Sequence, residues 1–203
     1  MPPVDVEVLI PELTRISGEW LTAKGQREAQ FSSGCFDEAY LRLFPCAVVE
    51  TAPANGAPGR AIGFANILHG PRREELSVDL MRCRRGWPGA MDYLMVSLML
   101  YGQRMGYERF NLGMAPFANV GYSQGAHWGE RLGRCLFLLG EPWYNYRGLR
   151  RYKEKFHPTW VPRYLAYSGA LQWPIAMANV GALVAGGWAR LIGPPAVAFR
   201  RHS

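Results

Sequence analysis

The sequence has no C-x-x-C pair and no clustered histidines. Its cysteines (35, 46, 83 and 135) and histidines (69, 127, 157 and 202) are scattered, so neither a disulfide framework nor a metal site is expected. Acidic residues are the scarcer sign, 16 Asp and Glu against 23 Lys and Arg, and the net charge of +7 favours anionic partners, either nucleic acid or an acidic membrane surface. The N-terminus lacks a basic segment followed by an apolar one, so no secretory signal is expected. With the dispersed cysteines, this fits a reducing, cytoplasmic location. Internal repeats and low-complexity segments are also absent. What is present is 203 residues with 49% hydrophobic content, enough for one domain with its own core and an appendage.

A single long run lacks charge. Residues 171–189 hold nineteen uncharged positions, nominally enough to cross a bilayer. Pro174, Asn179 and the glycines at 181, 186 and 187 weaken it as a span, so the expectation is a packed terminal helix, with interfacial attachment next. The chain accordingly divides into a domain over 1–170 and an apolar helix with a basic tail over 171–203.

Upstream, Leu13, Ile16, Trp20 and Leu21 recur at helical spacing and predict a helix over 11–24; residues 36–44 predict a second, ending at Pro45. Strands are expected over 47–50, 61–68 and 76–81, the first two joined by a turn rich in Pro, Asn and Gly. Residues 90–105 form a helix apolar nearly all round, expected to be central and covered on several sides. Gly106 stops it, and a strand follows over 110–114. This strand, loop, helix, strand order places loop amides at a helix N-terminus, where an anionic group can be received. It resembles the core of the acetyltransferase-like (GNAT) superfamily, an α/β fold with a mixed sheet flanked by helices. A CoA loop of the form [RQ]-x-x-G-x-[GA] is not intact over Arg82–Gly89, which leaves room for another acyl carrier, and no CoA cofactor is expected.

Five blocks carry a closer likeness: ELSVDLMR (75–82), the helix beginning GAMDYLMVSLMLYG, FNLGMAP (110–116), ERLGR (130–134) and YNYRGLRRYKEKFHPTWVPRYLA (144–166). In this order they resemble the C-terminal half of the cytosolic domain of the phosphatidylglycerol lysyl/alanyltransferases, the aminoacyl-phosphatidylglycerol synthases of the multiple peptide resistance factor family. The resemblance implies an enzyme that moves lysine or alanine from aminoacyl-tRNA to the glycerol headgroup of phosphatidylglycerol. It would act at the cytoplasmic membrane face and reduce susceptibility to cationic antimicrobial peptides. Only the second of two acetyltransferase-like subdomains is represented, so a first subdomain or a flippase region is an expected partner.

Transesterification needs a proton acceptor, charge to stabilise an oxyanion, and cations for phosphates. Asp79 is the first candidate for the base or for gripping the amino acid's ammonium; a structural ion pair with an arginine is the alternative. It alternates with Val78 and Leu80, so it is expected on the opposite face from theirs. Arg82, three residues on, faces away from Asp79 unless the strand bends or ends. The resemblance places it at the site as a phosphate or ester contact, against the alternative of a solvated arginine beside Arg84 and Arg85. Lys153, in the family's Tyr-Lys-Glu-Lys-Phe block, is the candidate for holding phosphate or stabilising the oxyanion, and a solvated basic helix is the alternative. Arg147, Arg150, Arg151 and Lys155 join it as phosphate contacts. Tyr152 is a stacking surface for the CCA end or a packing residue. Asn111 and Gly113 are candidates to face the acyl ester. Glu130 is a second acid or base, or a helical partner of Arg134. Two further readings remain open: another acceptor, such as a peptidoglycan precursor or a different lipid, and a non-catalytic module that binds tRNA or anionic membrane.

Overall fold

The computed structural model describes residues 6–24, 35–54, 56–115, 146–164, 166, 169, 172–185 and 187–188. The chain forms two compact units, one of residues 1–111 and 178–203 and the other of residues 112–177.

The first unit is built on a four-stranded sheet of order β1 (Cys46–Glu50), β2 (Ala61–His69), β3 (Glu75–Cys83) and β4 (Arg109–Asn111). The first three strands form an antiparallel meander, and β4 pairs parallel with β3. Running β4 in the same direction as β3 requires a crossover connection, which α3 (Ala90–Arg104) supplies. Helices cover both faces. On one side α1 (Val6–Lys24) and α2 (Glu38–Leu41) bury Ile10, Leu13, Ile16 and Leu41 against Phe64 and Leu80. On the other, Leu94 and Leu98 of α3 pack on Val49, Ile62 and Ala65. Burial from both sides explains why residues 61–66 of β2 are buried without alternation.

The ends of the elements differ from the periodic reading in explicable ways. Helix α1 begins five residues before Pro11, because Val6, Leu9 and Ile10 reach the core. Helix α2 is a single turn, capped by Asp37, whose Oδ1 accepts from the Tyr40 amide at 2.8 Å. Strand β3 runs on through Cys83, and the Arg84 amide still donates to the Ile62 carbonyl at 2.8 Å. Strand β4 stops at Asn111 instead of reaching Met114.

Helix α3 ends in a Schellman arrangement, Tyr107 N–H to Gly102 O and Gly106 N–H to Gln103 O, with Gly106 at φ +80°. Its outer side is less covered than its composition suggested: Tyr93 is 68% and Leu100 49% exposed.

In the second unit, α4 (Tyr146–Glu154) carries the basic block. Helix α5 (Trp173–Ala185) lies within the uncharged run, with residues 173–177 in the second unit and 178–185 in the first; along it Ala182 is buried while Ile175, Val180 and Leu183 are exposed. Among the described residues no helix is long and apolar enough to cross a membrane.

Candidate functional site

An uninterrupted strand would send Asp79 and Arg82 to opposite faces, but β3 is interrupted. Its pairing with β2 passes from Ile67↔Val78 to Ala65↔Met81, so that one residue, Asn66, stands opposite two, Asp79 and Leu80. This is a β-bulge, and it shifts the alternation by one. Val78 packs on the α3 side, and Asp79 next to it points to the side of α2, where its Oδ2 accepts a hydrogen bond from the Tyr40 hydroxyl at 3.2 Å. Leu80 enters the core beneath α1. The Arg82 guanidinium lies over the Trp20 ring of α1, its Cζ 3.9 Å from the centroid. The expectation that Asp79 and Leu80 face opposite ways is thus corrected, and the bulge supplies the bend that lets Asp79 and Arg82 share a face.

Arg82 is buried, 4% exposed, and its planar cation stacks on an indole in a setting where water competes little. It is not a solvated loop residue. Nor is Arg84: equally buried, it donates through Nη1 to both carboxylate oxygens of Glu19 (2.7 and 3.0 Å) and through Nη2 to Glu12 Oε1 (2.6 Å). Those carboxylates neutralise Arg84, whereas Arg85 is exposed.

The Tyr40 phenol is pushed up by burial first, then by the negative charge of Asp79 and its hydrogen bond, so it stays a protonated donor. Tyr40→Phe is expected to destabilise the fold by about 1 kcal/mol. That loss is expected to shrink in an Asp79→Asn background, which a double-mutant cycle in urea checks.

The second group of candidates belongs to residues 112–177. Lys153 of α4 is buried, 7% exposed, and its ammonium donates to the Met114 carbonyl at 2.8 Å. Desolvation pushes its pKa down to about 8. Lys153 is therefore not part of a solvated basic face. Gly113 adopts φ +75°, and a Cβ there would lie 3.5 Å from Lys153 Nζ. That spacing is ordinary contact, so backbone conformation, not room, favours glycine.

Elsewhere on α4 the side chains are mutually engaged. Arg150 Nε donates to Glu154 Oε1 at 2.7 Å, and its Cζ lies 5.6 Å from the Trp160 ring centroid. Tyr152 packs edge-on against Phe156 at 5.6 Å, and Lys155 Nζ lies 5.1 Å from the Tyr152 ring. Arg151 is exposed. The backbone of Arg147 falls in the first turn of α4. Its side chain, like the whole of Glu130, lies outside the described residues.

Asn111 belongs to β4, where its Nδ2 donates to Glu75 Oε1 of β3 at 2.9 Å. This amide ties the parallel strands together at the sheet edge. Among the described residues no group of three or more His, Cys, Asp and Glu side chains is arranged to hold a metal ion.

The structure thus brings Asp79 and Arg82 together on one face of the sheet, and Gly113 together with Lys153. Sequence reasoning missed Tyr40, and it read Trp20 only as an apolar helix position. Asn66 went unnoticed although a lone amide within the apolar run Ala61–Leu68 was a usable signal.

Comparison with known proteins gives concordant results. The sequence model of the family described as phosphatidylglycerol lysyltransferase, C-terminal, matches residues 2–167. The chain is 40% identical over 167 residues to phosphatidylglycerol lysyltransferase of Bacillus subtilis (strain 168), covering 82% of this chain and 19% of that protein. It is 36% identical to the enzyme of the same name from Staphylococcus xylosus, with the same coverage. Among solved structures, the C-terminal domain of a protein assigned as a lysylphosphatidylglycerol synthetase from Agrobacterium fabrum superposes with a TM-score of 0.74 at 38% identity, over 90% of this chain and 53% of that one. L-PGS from Bacillus licheniformis gives 0.68 at 36% identity, over 91% and 52%. The chain therefore spans about one fifth of the length of these curated relatives and about half of the solved chains.

Proposed function

Because the chain belongs to the family of phosphatidylglycerol lysyltransferase C-terminal domains, we propose that it is the acyl-transfer domain of an enzyme that esterifies phosphatidylglycerol with an amino acid carried by tRNA. The observation that carries this reading is the family match over residues 2–167; the acetyltransferase-like α/β fold of its structural relatives agrees with it. In this reading residues 1–170 are the transferase domain, and 171–203 are an appended apolar helix and basic tail.

In the reaction a glycerol hydroxyl of the lipid attacks the carbonyl carbon of the aminoacyl ester. The new ester C–O bond forms, the bond to the ribose oxygen breaks, and the proton lost by the lipid hydroxyl ends on the departing ribose hydroxyl. Asp79, held by Tyr40, is the proton acceptor or the anchor of the amino acid's ammonium. Lys153 is a buried cation available to the developing oxyanion or to phosphate, and Arg82 is a second cation for phosphate or ester. Arg147, Arg150, Arg151 and Lys155 contact phosphates, Tyr152 offers a surface to an unpaired base, Asn111 and Gly113 face the ester, and Glu130 is a second acid or base. Lysine as the transferred group turns an anionic headgroup into a net cationic one, which weakens attraction of cationic peptides.

The test is to incubate the chain with phosphatidylglycerol vesicles and tRNA charged separately with radiolabelled lysine or alanine, then count label in the lipid extract. Label in lipid from one charged tRNA is the expected result. If a first acetyltransferase-like subdomain must be added before label appears, that subdomain is a required partner. If no label appears even then, while tRNA is still bound, the chain is a binding module.

A further inference from the structure

The bulge that puts Asp79 and Arg82 on one face breaks the regular ladder between β2 and β3, and a broken ladder leaves backbone donors to be satisfied. Both donors at this bulge go to one side chain. Asn66 Oδ1 accepts the Asp79 amide at 3.2 Å and the Leu80 amide at 2.7 Å. We propose that Asn66 is a positioning residue: its side-chain carbonyl takes the place of the missing ladder acceptor, fixes the bulge between Val78 and Met81, and so holds Asp79 on the same face as Arg82.

Three observations support the assignment. Asn66 is fully buried, 0% exposed, in the middle of an apolar strand, where an aliphatic side chain would fill the space without desolvating an amide. Among the described residues its Nδ2 meets no acceptor, so the donor half of the amide brings no return there and only the acceptor half is used. Both groups at Oδ1 are N–H donors, which also settles the orientation of the amide. Without the bulge, strand period two would put Asp79 and Arg82, three residues apart, on opposite faces of the sheet.

The inference deepens the reading of Asp79 as a substrate-facing group and rests on it for its effect on turnover, but its geometric part is testable by itself. The full chain is labelled with ¹³Cζ-tyrosine, and the Tyr40 resonance, assigned through Tyr40→Phe, is followed by NMR as carboxylates titrate below pH 7. In the wild type this resonance is expected to move, because Asp79 accepts from the phenol, and in Asp79→Asn the movement is expected to vanish. Asn66→Leu keeps the volume and removes the acceptor. It is expected to lose the movement and to lower kcat at least tenfold with little change in KM. Asn66→Asp keeps an acceptor oxygen in place and is expected to restore both to within a few-fold.

A folded Asn66→Leu protein with wild-type Tyr40 titration and wild-type kcat overturns the proposal. Should Asn66→Leu not fold, hydrogen exchange in the wild type decides: slow exchange at the Leu80 amide supports the clamp, and exchange as fast as in an open loop removes it. An Asp79→Asn protein with full turnover would end the catalytic reading while leaving the NMR result to stand or fall separately.

Discussion

Asp79→Asn is expected to lower kcat by about 10²- to 10⁴-fold, the range for removing a positioned general base, while the fold and the affinity for uncharged tRNA stay within a few-fold of wild type. The substitution is nearly isosteric, and its oxygen can still accept from the Tyr40 hydroxyl 3.2 Å away, so the effect isolates charge from packing. The two roles open to the carboxylate separate by substrate. If Asp79 takes the proton of the attacking lipid hydroxyl, the loss falls on kcat and is the same for free and N-acetylated lysyl-tRNA. If it grips the ammonium, the wild type discriminates against the N-acetylated substrate and Asp79→Asn no longer does. Single-turnover transfer of label to phosphatidylglycerol with the two charged tRNAs makes the measurement. Wild-type rates in the variant would remove Asp79 from the site.

The second large effect concerns Lys153 and has two pH signatures of opposite sense. Burial lowers its pKa from 10.5 to about 8. As an oxyanion or phosphate partner it must carry its proton, so transfer is expected to fall as pH rises through about 8. Lys153→Met, which keeps much of the aliphatic stem and discards the charge, should cost about 10²–10³ in kcat at neutral pH and abolish that inflection.

Stability should move the other way. The folded chain releases this proton near pH 8 and the unfolded chain near 10.5, so between those values the unfolded state binds more protons and stability rises with pH. Below pH 8 both states are protonated and the penalty of burying the charge is fully present. Thermal unfolding from pH 7 to 10 is therefore expected to show a rising contribution to Tm in the wild type that Lys153→Met lacks. Identical pH dependences in the two proteins would mean that Lys153 ionises as a solvated lysine.

The elements whose hydrophobic period is unambiguous were legible in the sequence. The meander, the long apolar helix α3 and the parallel return to β4 follow from alternation, from 3.6-residue spacing and from Gly106 as a stop signal. The family blocks led to the same transferase fold as the matched relatives.

What alternation cannot deliver is a change of its own phase. Reading Asp79 against Val78 and Leu80 assumed one continuous ladder, and the single residue Asn66 opposite two partners breaks that assumption. Arg82 and Arg84 looked like loop residues because arginine is usually solvated. The strand nevertheless runs through Arg82 to Cys83, the Arg84 amide still bonds to the neighbouring strand, and the two charges are met by the Trp20 ring and by Glu12 and Glu19. Lys153 lies in a block so basic that a solvated face was the natural alternative, and only three-dimensional packing distinguishes it from the exposed Arg151 and Lys155.

The fork of Arg84 also has a mechanical consequence. A helix resting on a sheet can slide along its axis, roll about it, or pivot in the plane. Glu12 and Glu19 are seven residues apart, roughly two turns of α1, and one rigid guanidinium fixed at the end of β3 grips both. Two attachments near the same azimuth oppose rolling, and because they are separated along the axis they also oppose sliding and pivoting. The Trp20 indole, one residue beyond Glu19, is thereby held in angular register over Arg82. Helix α1 thus works as an indexed shaft, with Arg84 as the key that sets its angle.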